Sequence, residues 1–373
     1  MPYNIPVMRV KLPEASELIP YLNTIDQNAI YSNFGPLVRI FEKEIASNLN
    51  LEKESVVTVS NATLGIYAAL QALNLPEKSY CLMPSWTFTA TPAAAKLAGL
   101  VPYFLDVDIN TKALTPEIIY NEFDKIPETI SSVIVVCPFG APINLEEWAE
   151  FQDQTGIKVV IDGAAAYDSF ISGLMPVTEL PFIVSLHATK MLGAGEGCFI
   201  ASTDHKLIKH IEDIVNFGFV KSRESQIFGI NAKMSEYTAA IGLASLKNYP
   251  QKKLQYQTIR DLYIKHLNNH NITHDLKENY VSTTCNIICE YNNDNIENYL
   301  RENGIETRRW WGNGCHTQPA YIDCPVGSLT NTEYLSSHML GIPFFSNIEN
   351  DTIKFITSKI YEFNEQFSVT NSA

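Results

Sequence analysis

The run Val56-Val57-Thr58-Val59-Ser60-Asn61-Ala62-Thr63-Leu64-Gly65-Ile66-Tyr67 changes its periodicity halfway, and that change decides the fold class. Val56 to Val59 has no alternation of polar and apolar residues, so it reads as a strand covered on both faces. Ser60-Asn61 breaks it, and from Ala62 to Leu73 apolar residues recur at helical spacing. The same pattern repeats downstream. Tyr80 to Met83 reads as a strand stopped by Pro84, Ala90–Ala98 as a helix and Val101 to Asp106 as a strand. Ser132 to Cys137, a helix over Leu145–Gln154 and the strand Lys158 to Asp162 follow. These are βα units, and they predict an α/β fold with a parallel sheet between helices. Two more apolar runs, Phe182 to Leu186 and Gly197 to Ala201, flank His187–Glu196, where Gly193 and Gly195 suit a tight connection.

Beyond this region the texture changes. A helix is expected from Ser235 to about Leu246, a stop at Tyr249-Pro250, and a long polar connector helix from Gln251 to about Asn268. Asn279 to Tyr291 and Ile305 to Trp311 read as strands, with helices over Asp294–Asn303 and Asp351–Phe367, which together make a smaller α+β unit. The expected division is a large domain over 1–250, including an N-terminal arm, and a small C-terminal domain over 251–373. A chain of 373 residues exceeds what one hydrophobic core comfortably serves, which supports two units.

Composition excludes several functions. With 46% apolar and 18% charged residues the chain is of ordinary globular type, and no stretch approaches the 18 or so uninterrupted apolar residues of a membrane span. The N-terminal Met-Pro-Tyr-Asn-Ile-Pro lacks the pattern of a secretory leader, so a cytoplasmic location is expected. Seven cysteines with no paired CxxC spacing argue against a disulfide framework and a structural metal site; no metal is expected. A net charge of −14 with 27 scattered Lys and Arg leaves no basic track for nucleic acid. A single diphosphate-linked substrate is still compatible, because a few Arg, Lys or backbone N–H groups suffice to hold it.

Three strand ends carry chemistry-bearing residues. Lys190 follows Phe-Ile-Val-Ser-Leu-His-Ala-Thr at the exit of a strand, where open α/β sheets bind ligands. A lysine desolvated there favours Schiff-base chemistry, while a solvated loop lysine is the alternative. Asp162 ends Val-Val-Ile-Asp and precedes Gly-Ala-Ala-Ala, small residues that leave room for a planar ligand; it serves either a buried pyridinium or as a helix N-cap. Ser60-Asn61-Ala62-Thr63 opens a helix directly after a strand, where free N–H groups favour an anion, as any such turn does.

Taken in order, seven segments resemble the sugar aminotransferases of the DegT/DnrJ/EryC1/StrS family, which are pyridoxal-phosphate (PLP) enzymes of fold type I. The segments are Phe34-Gly35-Pro36 with Phe41-Glu42, Val59-Ser60-Asn61-Ala62-Thr63, Pro84-Ser85-Trp86-Thr87-Phe88, Asp162, Ser185-Leu186-His187-Ala188-Thr189-Lys190, Gly229-Ile230-Asn231-Ala232-Lys233-Met234, and His316-Thr317-Gln318-Pro319-Ala320-Tyr321. The resemblance spans almost the whole chain. It implies a mostly parallel seven-stranded sheet between helices with a smaller C-terminal α+β domain.

It further implies that Lys190 forms the internal aldimine and then acts as the acid–base, and that Asp162 pairs with the pyridinium nitrogen. Phe88 is expected to stack on the ring, while Ala62, Thr63 and Ser185 hold the phosphate. Asn231 matches a residue that reaches the cofactor phosphate of a neighbouring subunit, which implies a homodimer with shared sites. His316 and Arg309 are candidate contacts for the sugar or diphosphate; a structural His and a solvated Arg are the alternatives.

The chain departs from the family at three places. Ala165 stands where His or Gln is usual, Phe217-Gly218 replaces His-Gly, and Lys233 replaces an Arg. These changes, with Arg308-Arg309-Trp310-Trp311-Gly312 and Gly314-Cys315-His316, bear on substrate preference more than on reaction type. The resemblance implies transfer of an amino group from glutamate to a nucleotide-linked keto sugar, a dTDP-4-keto-6-deoxyhexose aminated at C4, for O-antigen or capsule synthesis. Amination at C3 is the alternative within the reaction. A PLP-dependent dehydratase would carry His in place of Lys190, although His187 is only three residues away. A noncatalytic regulator on this scaffold would need an added DNA-binding module, for which the residues before Ser32 and after Phe367 are too few. A nicotinamide-dependent oxidoreductase would show GxGxxG after the first strand, and none is there.

Overall fold

The computed structural model describes residues 4–127, 129–290 and 293–370. Seven strands form the main sheet: β1 (Val56–Val59), β2 (Tyr80–Pro84), β3 (Val101–Leu105), β4 (Ile130–Val136), β5 (Lys158–Asp162), β6 (Phe182–Ser185) and β7 (Cys198–Ala201). Their order is β1-β7-β6-β5-β4-β2-β3. Neighbours from β3 to β6 pair in parallel, whereas β7 pairs antiparallel with both β6 and β1. Only β7 is reversed. The carboxyl ends of the other six strands therefore lie along one edge.

The absence of polar alternation has the expected cause. Val159 and Ile161 of β5 enter one core with Phe41, Ile45 and Tyr249, while Val160 between them enters a second core with Ile66, Leu70 and Ile211. Successive side chains point to opposite faces, and helices cover both. The helix Ala62–Ala72 begins at Asn61, whose side chain accepts the Leu64 N–H at 2.9 Å. The helix Pro36–Asn48 has a distant cap: the buried Glu236 carboxylate accepts the N–H groups of Leu37 (2.9 Å) and Val38 (2.8 Å). This explains Gly35 in the Phe-Gly-Pro motif, because a methyl there would lie 2.6 Å from Glu236 Cδ.

The C-terminal part differs from the expectation in three respects. One helix, Glu236–Asn269, runs straight through Pro250. Proline forfeits one helical hydrogen bond, but Tyr249 is buried with its hydroxyl on Asp168, and Tyr256, Ile259 and Tyr263 bury beyond it. The strand expected over Asn279–Tyr291 is confined to β8 (Cys285–Ile288), which pairs antiparallel with β9 (Met339–Ile342); Tyr291 lies outside the described residues. Side chains take the earlier backbone groups: Arg260 donates to the Glu278 and Tyr280 carbonyls, and the Val281 N–H goes to Asp168. Ile305 to Trp311 is no strand. It makes single bridges from Ile305 to Ile5 and from Arg308 to Gly341, then turns through Gly312 and Gly314, both at positive φ.

Two buried carboxylates join the sheet to the C-terminal part. Asp106, just after β3, accepts the N–H groups of Asn331 and Thr332 at the start of the helix Thr330–His338. Asp168 accepts from Tyr249, from Lys253 at 2.6 Å and from the Val281 N–H at 2.8 Å. All seven cysteines are free. Among the described residues no helix is long and apolar enough to cross a membrane; of the N-terminal stretch, residues 1–3 lie outside those described.

Candidate active site

Because β1, β2, β5 and β6 end on one edge, their following residues converge there: Ala62 and Thr63, Ser85 to Phe88, Asp162, and Ser185 to Lys190. Asp162 caps no helix, since the next one spans Tyr167–Ile171 with Ala166 at its N-cap. Its carboxylate is buried; Thr91 Oγ1 donates to Oδ2 at 2.8 Å and the Ala164 N–H to Oδ1 at 3.2 Å. Burial pushes its pKa up, opposed by these two hydrogen bonds and by the charge of Lys190.

Lys190 lies in the connection between β6 and β7, two antiparallel neighbours, so both ends of its loop are tied to the sheet. The Leu186 N–H donates to Gly197 O and the Ala188 N–H to Gly195 O, each at 2.8 Å. Burial pushes the Lys190 pKa down, and the attraction of Asp162 opposes it. A second lysine, Lys252, donates to the Lys190 carbonyl at 3.0 Å. Ser185 is buried, and its hydroxyl accepts the His187 N–H.

Phe88 is 60% exposed although its neighbours Trp86 and Thr87 are buried. The N–H groups of Ala62 and Thr63, at the first two positions of their helix, have no partner within it. Asn231 is exposed, next to Ala232, whose carbonyl accepts the Ser60 N–H at 2.7 Å. A buried carboxylate, a lysine with its pKa lowered, an exposed aromatic face and a helix N-terminus suit a flat cationic ring that carries a phosphate and an aldehyde. This donor set fits pyridoxal phosphate.

The two candidate sugar contacts diverge. His316 reaches this edge: its Nδ1 lies 2.7 Å from Ser85 Oγ, and the Cys315 N–H donates to the Ser85 carbonyl at 2.9 Å. Arg309 does not join them; its guanidinium is committed to Glu297 and Asp294 of the helix Asn293–Glu302. Two of the three departures are neighbours, with Lys233 Nζ 4.5 Å from the centroid of the Phe217 ring. Sequence reading missed Thr91 and Ser85. For Thr91 the only signal was the spacing Thr87-x-x-x-Thr91 at the exit of β2, which puts two hydroxyls four residues apart where the chain enters the helix Ala90–Leu97.

Comparison with known proteins agrees. Residues 13–361 match the DegT/DnrJ/EryC1/StrS aminotransferase family. The dTDP-4-amino-4,6-dideoxy-D-glucose transaminase of Shigella dysenteriae is 27% identical over 95% of this chain and 98% of its own length. The GDP-perosamine synthase of Escherichia coli O157:H7 is 25% identical over 92% of this chain and 94% of its own. The structure of DesI in the presence of its TDP-sugar product superposes with a TM-score of 0.86 at 27% identity, covering 100% of this chain and 96% of that one. With the sheet, the converging strand ends and a match over nearly the whole length, the chain belongs to the DegT/DnrJ/EryC1/StrS aminotransferase family and is a PLP-dependent aminotransferase.

Proposed function

We propose that this enzyme moves an amino group from glutamate to a nucleotide-linked keto sugar, with C4 of a dTDP-4-keto-6-deoxyhexose as the acceptor position, in the synthesis of amino sugars for O-antigen or capsule. The observation that carries the reading is the meeting of Lys190 and Asp162 at one sheet edge, each shifting the other's pKa. The full-length relation to nucleotide-sugar transaminases supports the substrate class.

Bound pyridoxal phosphate supplies the electron sink. Lys190 would hold the cofactor through its amine, and that amine, once free, would move a proton at the substrate carbon that bears the nitrogen. Asp162 would pair with the ring nitrogen and, as a carboxylate, would keep it protonated. Phe88 covers the ring, and the N–H groups of Ala62 and Thr63 with the Ser185 hydroxyl hold the phosphate. His316, oriented by Ser85, faces the acceptor sugar. Asn231 completes the phosphate site of a second subunit in a cytoplasmic homodimer, and the exposed side chains of Tyr31, Phe228 and Tyr237 belong to that contact.

The test is the visible spectrum of the protein with PLP, then glutamate, then a panel of dTDP- and GDP-linked keto sugars, beside Lys190→Ala. A band near roughly 400–430 nm that moves to about 330 nm with glutamate and returns with one sugar is the expected result for Schiff-base chemistry. NMR of the product assigns C4 or C3. A wild-type spectrum identical to that of Lys190→Ala refutes the role of Lys190.

A further inference from the structure

A carboxylate inside a protein stays ionised only if enough donors hold it. Asp162 has two hydrogen bonds, from the Ala164 N–H and from Thr91 Oγ1, and Thr91 is its only side-chain hydrogen-bond donor among the described residues. No side chain at position 165 can help, because Ala165 stands there. Lys190 acts through charge alone, a contribution that ends whenever its amine gives up its proton.

Thr91 is itself held. Its hydroxyl has one proton, which goes to Asp162 Oδ2 at 2.8 Å, so it accepts from Thr87 Oγ1 at 2.9 Å. Both threonines are buried. The Thr91 N–H donates to the Phe88 carbonyl at 3.2 Å, so one turn carries the exposed aromatic ring and the hydroxyl that grips the carboxylate.

We propose that Thr91 is a positioning residue for Asp162: the relay Thr87 to Thr91 to Asp162 keeps the carboxylate ionised and fixes its orientation toward the ring nitrogen of the bound cofactor. This rests on the reading of Asp162 as the partner of that nitrogen. Each carboxylate oxygen accepts one hydrogen bond from the protein and retains acceptor capacity, which leaves room for an N–H from a ligand. The other titratable groups that feel this carboxylate are Lys190, Cys137 and Cys198. Burial drives both thiols well above neutral pH, so neither titrates against it near pH 7.

The experiment measures the affinity for pyridoxamine 5′-phosphate, which binds without the covalent bond to Lys190, from pH 6 to 9. The proteins are the wild type, Thr91→Val, Thr91→Ser and Asp162→Asn, with apo-protein melting curves as the check on folding. A hydrogen bond to a charged group corresponds to about one to two pH units. Thr91→Val is expected to weaken binding about 10-fold at pH 7.5 and to move the acid-side loss of affinity up by about one pH unit. Thr91→Ser, which keeps the hydroxyl, restores both to within about threefold. Thr87→Val, one step removed, shifts the limb the same way by less, and serves if Thr91→Val does not fold. Wild-type affinity in Thr91→Val, or a loss equal at every pH, overturns the proposal while the role of Asp162 stands. Wild-type affinity in Asp162→Asn overturns both.

Discussion

Replacing Gly35 by alanine tests how the buried Glu236 organises the N-terminal half of the sheet cover. Gly35 has φ −66° and ψ 179°, which alanine adopts without strain, so the backbone offers no objection. Stiffening the unfolded chain favours alanine by about 0.4–1 kcal/mol. Packing opposes it: the new methyl would lie 2.6 Å from Glu236 Cδ, 2.8 Å from Oε1 and 2.8 Å from Ile30 Cγ2. Overpacking costs about 1–3 kcal/mol. Moving the carboxylate also weakens its bonds to the Leu37 and Val38 N–H groups, each worth about 1.5–3 kcal/mol as a bond to a charged group. With one of the two bonds lost, the net cost is about 3–4 kcal/mol, combining these ranges. Equilibrium urea denaturation of the PLP-free protein at fixed concentration reads it, with Glu236→Ala and the double variant alongside. Once the carboxylate is gone most of the clash is gone, so the double variant should cost little more than Glu236→Ala alone. Strict additivity, or a Gly35→Ala cost under about 0.5 kcal/mol, refutes the reasoning.

Asp168→Asn leaves the Lys253 ammonium without its carboxylate. Breaking a buried pair costs about 3–5 kcal/mol, and the partial exposure of Lys253 reduces this to about 2 kcal/mol. Melting temperature should fall by several degrees, and an unchanged value would remove Asp168 as a clamp. Lys252→Met tests linkage: burial lowers Lys252 to a pKa of about 8 from 10.5. The folded state then binds fewer protons than the unfolded state between these values, so Lys252 penalises folding fully below pH 8. The penalty fades as pH rises toward 10.5. The stability of wild type relative to Lys252→Met should therefore rise by about 2–3 kcal/mol from pH 7.5 to 10.5. A flat difference across that window would show that Lys252 is not desolvated.

The strands up to β7 and the helices Ala62–Ala72, Ala90–Leu97 and Leu145–Thr155 were legible within about two residues, because each strand is a short apolar run ended by a polar or Pro break; the five-residue helices Pro116–Tyr120 and Tyr167–Ile171 are too short to show a period and were not read. Lys190 and Asp162 stood out because one follows a strand and the other ends one, whereas Phe88 was marked only by the family resemblance of its Pro-Ser-x-Thr-Phe frame. What escaped depends on partners distant in sequence. The 279–284 segment is no strand because Arg260 and Asp168 take its backbone groups, and neither is visible from the local pattern. Arg309 looked available because Glu297 and Asp294, 12 and 15 residues away, approach it only through the fold. Thr91 gave no signal beyond its spacing from Thr87, because a neutral hydroxyl on a helix is chemically silent until a carboxylate lies against it.

The contact between Lys233 and Phe217 makes one corner of the molecule indifferent to acid. A phenyl ring attracts an ammonium wherever the lysine is protonated, and although burial lowers the Lys233 pKa, acidification only keeps that charge in place, so the pair loses nothing as pH falls. A histidine in its place would gain charge as pH fell through about 6.5 and then repel Lys233. Phe217→His alone should thus make the loop between Asn216 and Asn231 loosen on acidification, whereas the native pair keeps it closed at low and neutral pH alike.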